Sequence, residues 1–128
     1  EVCKICNNLI GVGLIAFLPE VFTAGIKAGV PGSRLFEAIS GGLGNTAIMQ
    51  ATLPGIMRRD FSAHGGSGIL LKDMQLAIEL GQEVGGVPME IARSMLEKLQ
   101  DAAAHGFADN PVRWQEQRAG VEIRELLG

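Results

Sequence analysis

The stretch from Val2 to Val30 constrains the fold more than any other part of the chain. It is the longest apolar segment, and polar residues such as Lys4, Asn8, Glu20 and Lys27 interrupt it only sparsely. Drawn as a helix over Val2 to Gly29, its apolar residues cover most of the circumference, so it must be buried on several sides. Pro19 is expected to kink it, because the ring removes one intrahelical hydrogen bond and crowds the preceding turn. Gly29 suits the residue just past the helix end, and Pro31 stops the chain from continuing. The 128 residues are enough for one domain with a real core.

Three other readings of this segment carry specific requirements. A membrane span needs about 20 apolar residues, and Leu9 to Val30 is long enough. Pro19, Glu20 and Lys27 inside it, and the amphipathic helices after it, argue against a span. Gly11-Val12-Gly13-Leu14-Ile15-Ala16 matches Gly-x-Gly-x-x-Ala, a dinucleotide fingerprint when a strand precedes it and an acidic strand end follows about 20 residues on. Asn7-Asn8 breaks that strand and no β-branched run follows. The glycines are read instead as places where neighbouring helices approach closely. Cys3 and Cys6 form a Cys-x-x-Cys pair, but no βαβ context surrounds it. His64 and His105 are not spaced to complete a zinc site, so no metal is expected. The cysteines are read as small apolar residues on a helix face.

The rest of the chain reads as shorter helices. Ser33 is expected to cap one through Ser40, with Leu35, Phe36 and Ile39 at helical spacing. Gly41 to Asn45 is a connector without the lysine and hydroxyl of a phosphate loop. Asn45 or Thr46 caps a helix with Ile48, Met49 and Leu53, ended or kinked at Pro54. Arg58-Arg59-Asp60 reads as a solvated turn, and Phe61 to Gly68, with His64, as a polar flexible loop. Ser67 or Gly68 opens a helix to about Gly85, with Ile69, Leu70, Met74, Ala77, Ile78 and Leu80 on its apolar side. Val87-Pro88 opens the next, with proline in its first turn. Ile91, Met95, Leu96 and Leu99 recur with a period near 3.6, Glu90, Arg93, Glu97 and Lys98 face water, and His105-Gly106 closes it. Asp109 or Asn110 caps the last helix, with Pro111 near its start and Val112, Trp114, Val121, Ile123 and Leu126 as apolar contacts. No segment alternates with period two, so no sheet is expected. The fold class is all-α, a multi-helix bundle around one long N-terminal apolar helix.

A net charge of −3 and a pI near 5.3 leave no electrostatic footprint for nucleic acid. Two cysteines do not make a secreted disulfide scaffold, and a cytoplasmic setting is the default expectation. No signal peptide pattern is visible. Without an initiator Met, the sequence reads as an excerpt, a processed product, or a chain whose start has been removed.

Lys4 and Asn8 stand four residues apart, one turn along the same helical face. Their ammonium and carboxamide can both donate to an oxygen of a small substrate. Val2, Ile5 and Leu9 around Lys4 suggest partial desolvation, which favours proton transfer near neutral pH. Lys4-Ile5-Cys6-Asn7-Asn8-Leu9 resembles the Lys-x-x-x-Asn motif of the β-hydroxyacid dehydrogenases, the group of 3-hydroxyisobutyrate dehydrogenase and tartronate semialdehyde reductase. Glu20, Phe61, the Lys72-Asp73 pair and His105-Gly106 extend the resemblance over essentially the whole chain, as the family's second half. It implies a 6-phosphogluconate dehydrogenase C-terminal-like helical domain over 1–128, with the Rossmann half and its glycine-rich fingerprint expected before Glu1. It implies NAD or NADP as cofactor and a small 3-hydroxy acid as substrate. Lys4 would be the acid/base, Asn8 would bind substrate, and Lys72 would contact the nicotinamide end, with Asp73 supporting it. The Gly65–Gly68 loop is shorter than the family pattern. The resemblance also implies a homodimer or larger homo-oligomer, and no turnover by this half alone. From another class comes a free-standing helical oligomerisation or binding module without catalysis.

Overall fold

The computed structural model describes residues 1–62 and 67–127. Six helices follow one another: α1 (Val2–Lys27), α2 (Gly32–Ser40), α3 (Ala47–Met57), α4 (Ser67–Glu83), α5 (Glu90–Ala104) and α6 (Pro111–Ala119). No strand occurs among the described residues, as the lack of period-two patterning implies. The expected loop residues His64, Gly65 and Gly66 lie outside the described residues.

α1 packs against all five other helices, which is why it is apolar nearly all round. By length and composition alone it could cross a membrane; the other helices bury residues along it from Val12 to Ile26. Its C-terminal half buries Leu18, Phe22 and Ile26 against Met49, Leu53 and Ile56 of α3, Val112 of α6 and Ile123. Its first half buries Val12 and Ala16 against Leu70, Met74 and Ile78 of α4 and Leu99 of α5. α1 runs through Pro19 to Lys27. Gly13 allows the expected close approach, since a side chain there would meet Met95, whereas Gly11 faces open space.

α1 ends as the sequence suggests. Gly29 has φ +105°, its N–H donates to the Ile26 carbonyl, and the Val30 N–H reaches back to the Gly25 carbonyl. This paired closure satisfies two carbonyls that the helix leaves open, and glycine adopts the left-handed conformation without steric cost. His105 and Gly106 close α5 in the same way.

α3 uses this closure with arginine in the glycine position. Arg59 has φ +64°, and the Asp60 N–H donates to the Gly55 carbonyl at 2.8 Å. A non-glycine residue there costs about 1–2 kcal/mol. The expectation of a solvated turn is wrong at Arg59, whose side chain is only 15% exposed. Its guanidinium grips the buried Glu116 carboxylate with two bonds, 2.6 Å and 2.8 Å. It also donates to the Ile123 carbonyl, and Glu116 accepts from the Ile123 N–H at 2.6 Å. One ion pair therefore ties the end of α3, α6 and the C-terminal segment together. Sequence pattern alone gives no hint that two charged residues 57 positions apart will meet.

Several local expectations shift. α2 begins at Gly32 after Pro31, with no side-chain cap, so Ser33 lies inside the helix. Thr46 caps α3, accepting from the Met49 N–H, and α3 continues past Pro54 to Met57. α4 ends at Glu83 rather than near Gly85. α5 begins at Glu90, so Pro88 precedes it; the Val87 N–H bonds the Gly81 carbonyl instead, holding this stretch against the end of α4. Lys98 does not simply face water, because its ammonium bonds both Glu20 and Gln115. Pro111 opens α6 as expected. Val112 and Ile123 are buried, but Leu126 is exposed.

Among the described glycines, Gly32 comes nearest to another stretch of backbone. A Cβ there would overlap the Arg124 carbonyl, beside the Ser33 N–H to Glu125 carbonyl bond. Gly32→Ala is expected to lower stability by about 1–3 kcal/mol, the usual cost of overpacking. Urea unfolding checks it, and a midpoint equal to wild type would show that the C-terminal segment is not held there.

Candidate active site

The first turns of α1 and the early turns of α4 lie side by side and frame a cleft of about 430 Å³. Glu1, Lys4, Ile5 and Asn8 line it from α1, and Lys72, Asp73 and Leu76 from α4. Helical periodicity explains both walls. Lys4 and Asn8 are one turn apart, as are Lys72 and Leu76, and each pair shares a face. Leu70, Met74 and Ala77 are buried on the other side of α4, which fixes the rotation that brings Lys72 and Asp73 to the cleft. All four residues singled out by sequence are therefore brought to one place.

The cleft holds two ammonium groups, one carboxamide and two carboxylates beside the aliphatic side chains of Ile5 and Leu76. Glu1 and Leu76 were not singled out beforehand, and Ile5 only as a neighbour of Lys4. The one-turn rule applied outward from Lys4 and Lys72 would have found Glu1 and Leu76. Lys4 is exposed and Asn8 half-buried. The expected enclosure of Lys4 by Val2, Ile5 and Leu9 does not occur, because Val2 is itself exposed and Leu9 packs into the α4–α5 core.

Other residues of the resemblance land elsewhere. Glu20 pairs with Lys98 at 2.6 Å. Phe61 lies under the Arg59 guanidinium. His105 stacks on Trp114 with centroids 4.1 Å apart, and the Trp114 indole N–H donates to Asp101. These residues hold helices together and do not line the cleft. Gly11 and Gly13 sit mid-helix in α1, so they form no phosphate-binding turn.

A family model described as NAD-binding of NADP-dependent 3-hydroxyisobutyrate dehydrogenase matches residues 1–113. The chain belongs to this family. Relatives include 2-(hydroxymethyl)glutarate dehydrogenase from Eubacterium barkeri, 28% identical over 96% of the chain and 42% of that protein. L-threonate dehydrogenase from Cupriavidus necator is 24% identical over 84% of the chain and 36% of its own length. The crystal structure of 3-hydroxyisobutyrate dehydrogenase from Salmonella typhimurium superposes with a TM-score of 0.77 at 20% identity, covering 86% of the chain and 39% of that structure. The dehydrogenase-family chain thus spans about two-fifths of the length of these relatives, and the last likeness shows its fold.

Proposed function

We propose that this chain is the helical half of an NAD(P)-dependent dehydrogenase acting on a small 3-hydroxy acid, and that its cleft completes the active site opposite a nucleotide-binding half. The observation that carries this is the meeting of Lys4, Asn8, Lys72 and Asp73, from two helices far apart in sequence, on one cleft. When bound, the nicotinamide accepts or supplies the hydride at the carbinol carbon. During oxidation the Lys4 Nζ, as the free amine, takes the hydroxyl proton. During reduction its ammonium returns that proton to the forming alkoxide oxygen. The Asn8 amide N–H donates to the substrate oxygens and sets the angle at which the carbinol carbon is presented. Lys72 contacts the nicotinamide end, and Asp73 beside it keeps that part of the wall in place. Ile5 and Leu76 narrow the wet surface once the cleft is covered. Without a phosphate-binding half the chain binds NAD(P) weakly and does not turn over.

The test is a paired kinetic comparison in the two-domain enzyme. Lys72→Ala is expected to raise the KM for NAD(P) about tenfold or more, the loss of one charge-assisted contact of about 1.5–3 kcal/mol, with the KM for the hydroxy acid little changed. Asn8→Ala is expected to do the reverse. If neither variant moves either KM, the cleft is not the active site.

An exposed apolar face supports assembly as well. Ile10 is 67% exposed and Ile91 74% exposed, on the rims of an apolar groove of about 470 Å³ between α1 and the start of α5. Phe17 extends this face along α1. We propose that two copies pack here as a homodimer, which also leaves room for the second reading, an assembly module without catalysis. Light scattering on Phe17→Glu separates these surfaces from the cleft: a shift from dimer to monomer supports the seam, and an unchanged mass removes it.

A further inference from the structure

Leu76 has no task in the core. It is 39% exposed and belongs to neither buried cluster. Leu70, Met74, Ala77 and Ile78 occupy the buried side of α4. The other exposed positions described on α4 are Lys72, Gln75, Glu79, Gln82 and Glu83, all polar or charged. Leu76 is the one apolar side chain among them. A single exposed leucine is ordinary on a protein surface. This one lines the cleft, and the α1 wall of the same cleft contributes the half-buried Ile5.

Helical geometry limits what these two side chains can meet. At about 100° per residue, Asn8 lies about 40° and Ile5 about 100° round the axis from Lys4. Ile5 therefore stands beside that pair on the α1 wall. Leu76 lies about 40° round α4 from Lys72, on the other wall. In the proposed reaction Lys4 handles the hydroxyl proton and Asn8 holds substrate oxygens. Those contacts engage the two polar ends of a 3-hydroxy acid. The carbon between them, carbon 2, still carries a substituent, and Ile5 and Leu76 are the apolar groups of the cleft. Apolar walls select by size, since one methylene too many or too few changes kcat/KM by about 10–200-fold.

We propose that Leu76 is a specificity-determining residue, whose side chain bounds the space for the substituent on carbon 2 of the hydroxy acid, with Ile5 as the other apolar wall. This rests on the dehydrogenase reading of the cleft and adds the residue that limits the size of the substrate. Leu76→Ala leaves only a methyl group and opens room for a longer alkyl substituent. Leu76→Phe fills that room. Because Leu76 is exposed and outside the core clusters, both changes leave the packing of α4 intact.

The test measures kcat/KM of the two-domain enzyme for 3-hydroxypropanoate and for its 2-propyl derivative at saturating NAD(P). Wild type, Leu76→Ala and Leu76→Phe are compared, with thermal midpoints and the KM for NAD(P) recorded for each. Leu76→Ala is expected to raise the ratio of the propyl acid to the unsubstituted acid by about tenfold or more. Leu76→Phe is expected to lower it, and the KM for NAD(P) should stay near wild type in both. A ratio unmoved in active variants overturns the role of Leu76 and leaves the dehydrogenase reading standing. A change confined to the KM for NAD(P) also overturns it, placing Leu76 against the cofactor. A wild type that turns over neither acid removes the dehydrogenase reading, and the role of Leu76 with it.

Discussion

Arg59→Ala is expected to lower the stability of the chain by about 3–5 kcal/mol, the cost of leaving one member of a buried ion pair without its partner. Glu116 is 3% exposed and accepts two of its three short bonds from Arg59. With the guanidinium gone, the carboxylate keeps the Ile123 N–H and a long contact to Arg113 at 3.5 Å, which is too little for a buried charge. The backbone cost does not change, since alanine at position 59 holds the same left-handed conformation that arginine does. Arg59→Gly removes that strain and should therefore be less damaging than Arg59→Ala by about 1 kcal/mol. Urea unfolding of the three proteins checks both differences. Equal midpoints for wild type and Arg59→Ala would mean that the pair contributes nothing.

The same cluster sets a pH dependence. Hydrogen bonds from Arg124 and Arg113, and the charge of nearby Arg59, hold the Glu122 carboxyl below its usual range. Its folded pKa is therefore lowered. Its stabilising contribution is present above the ordinary carboxylate pKa and is lost as pH falls through the lowered folded value. The hydrogen bond to Glu116 raises the Arg59 pKa further, so the guanidinium stays charged throughout. Removing Arg59 weakens the pull on Glu122, and the acid-side fall in stability should be shallower in Arg59→Ala than in wild type.

The fold was legible where it depends on periodicity. The all-round apolar character of α1 foretold a central helix, and Gly29, Gly106 and Thr46 marked helix ends that the structure keeps. Pattern failed where a distant partner decides. Arg59 looks like a turn residue until Glu116 is folded onto it, and Lys98 looks solvent-facing until Glu20 and Gln115 reach it. Pro88 fits a first-turn proline by sequence, but the Val87 N–H is drawn to Gly81 and delays the helix to Glu90. Cys3 and Cys6, both exposed, look like packing residues because composition cannot say which part of an apolar helix stays uncovered.

The candidate site was legible in its members but not in its shape. Four residues could be named from a one-turn spacing and a resemblance, and each lies on the same cleft. That Lys4 remains exposed could not be read from its neighbours, because Leu9 turns into the core between α1 and the α4–α5 pair.

Lys4→Met is expected to cut kcat of the two-domain enzyme by about 10²–10⁴-fold, the usual contribution of a positioned acid/base. Methionine keeps the length and helix propensity of lysine and removes the proton carrier. An exposed position tolerates such a change within about 0.5 kcal/mol of stability, so the fold should be unaffected. The KM values should move far less than kcat, because the proton passes mainly in the transition state. The deciding experiment is the rate of NAD(P)-dependent oxidation of a saturating 3-hydroxy acid by wild type and Lys4→Met, with thermal midpoints recorded in parallel. A fall of at least a hundredfold at an unchanged midpoint is the predicted result. Wild-type turnover by Lys4→Met would contradict the placement of the reaction at this cleft.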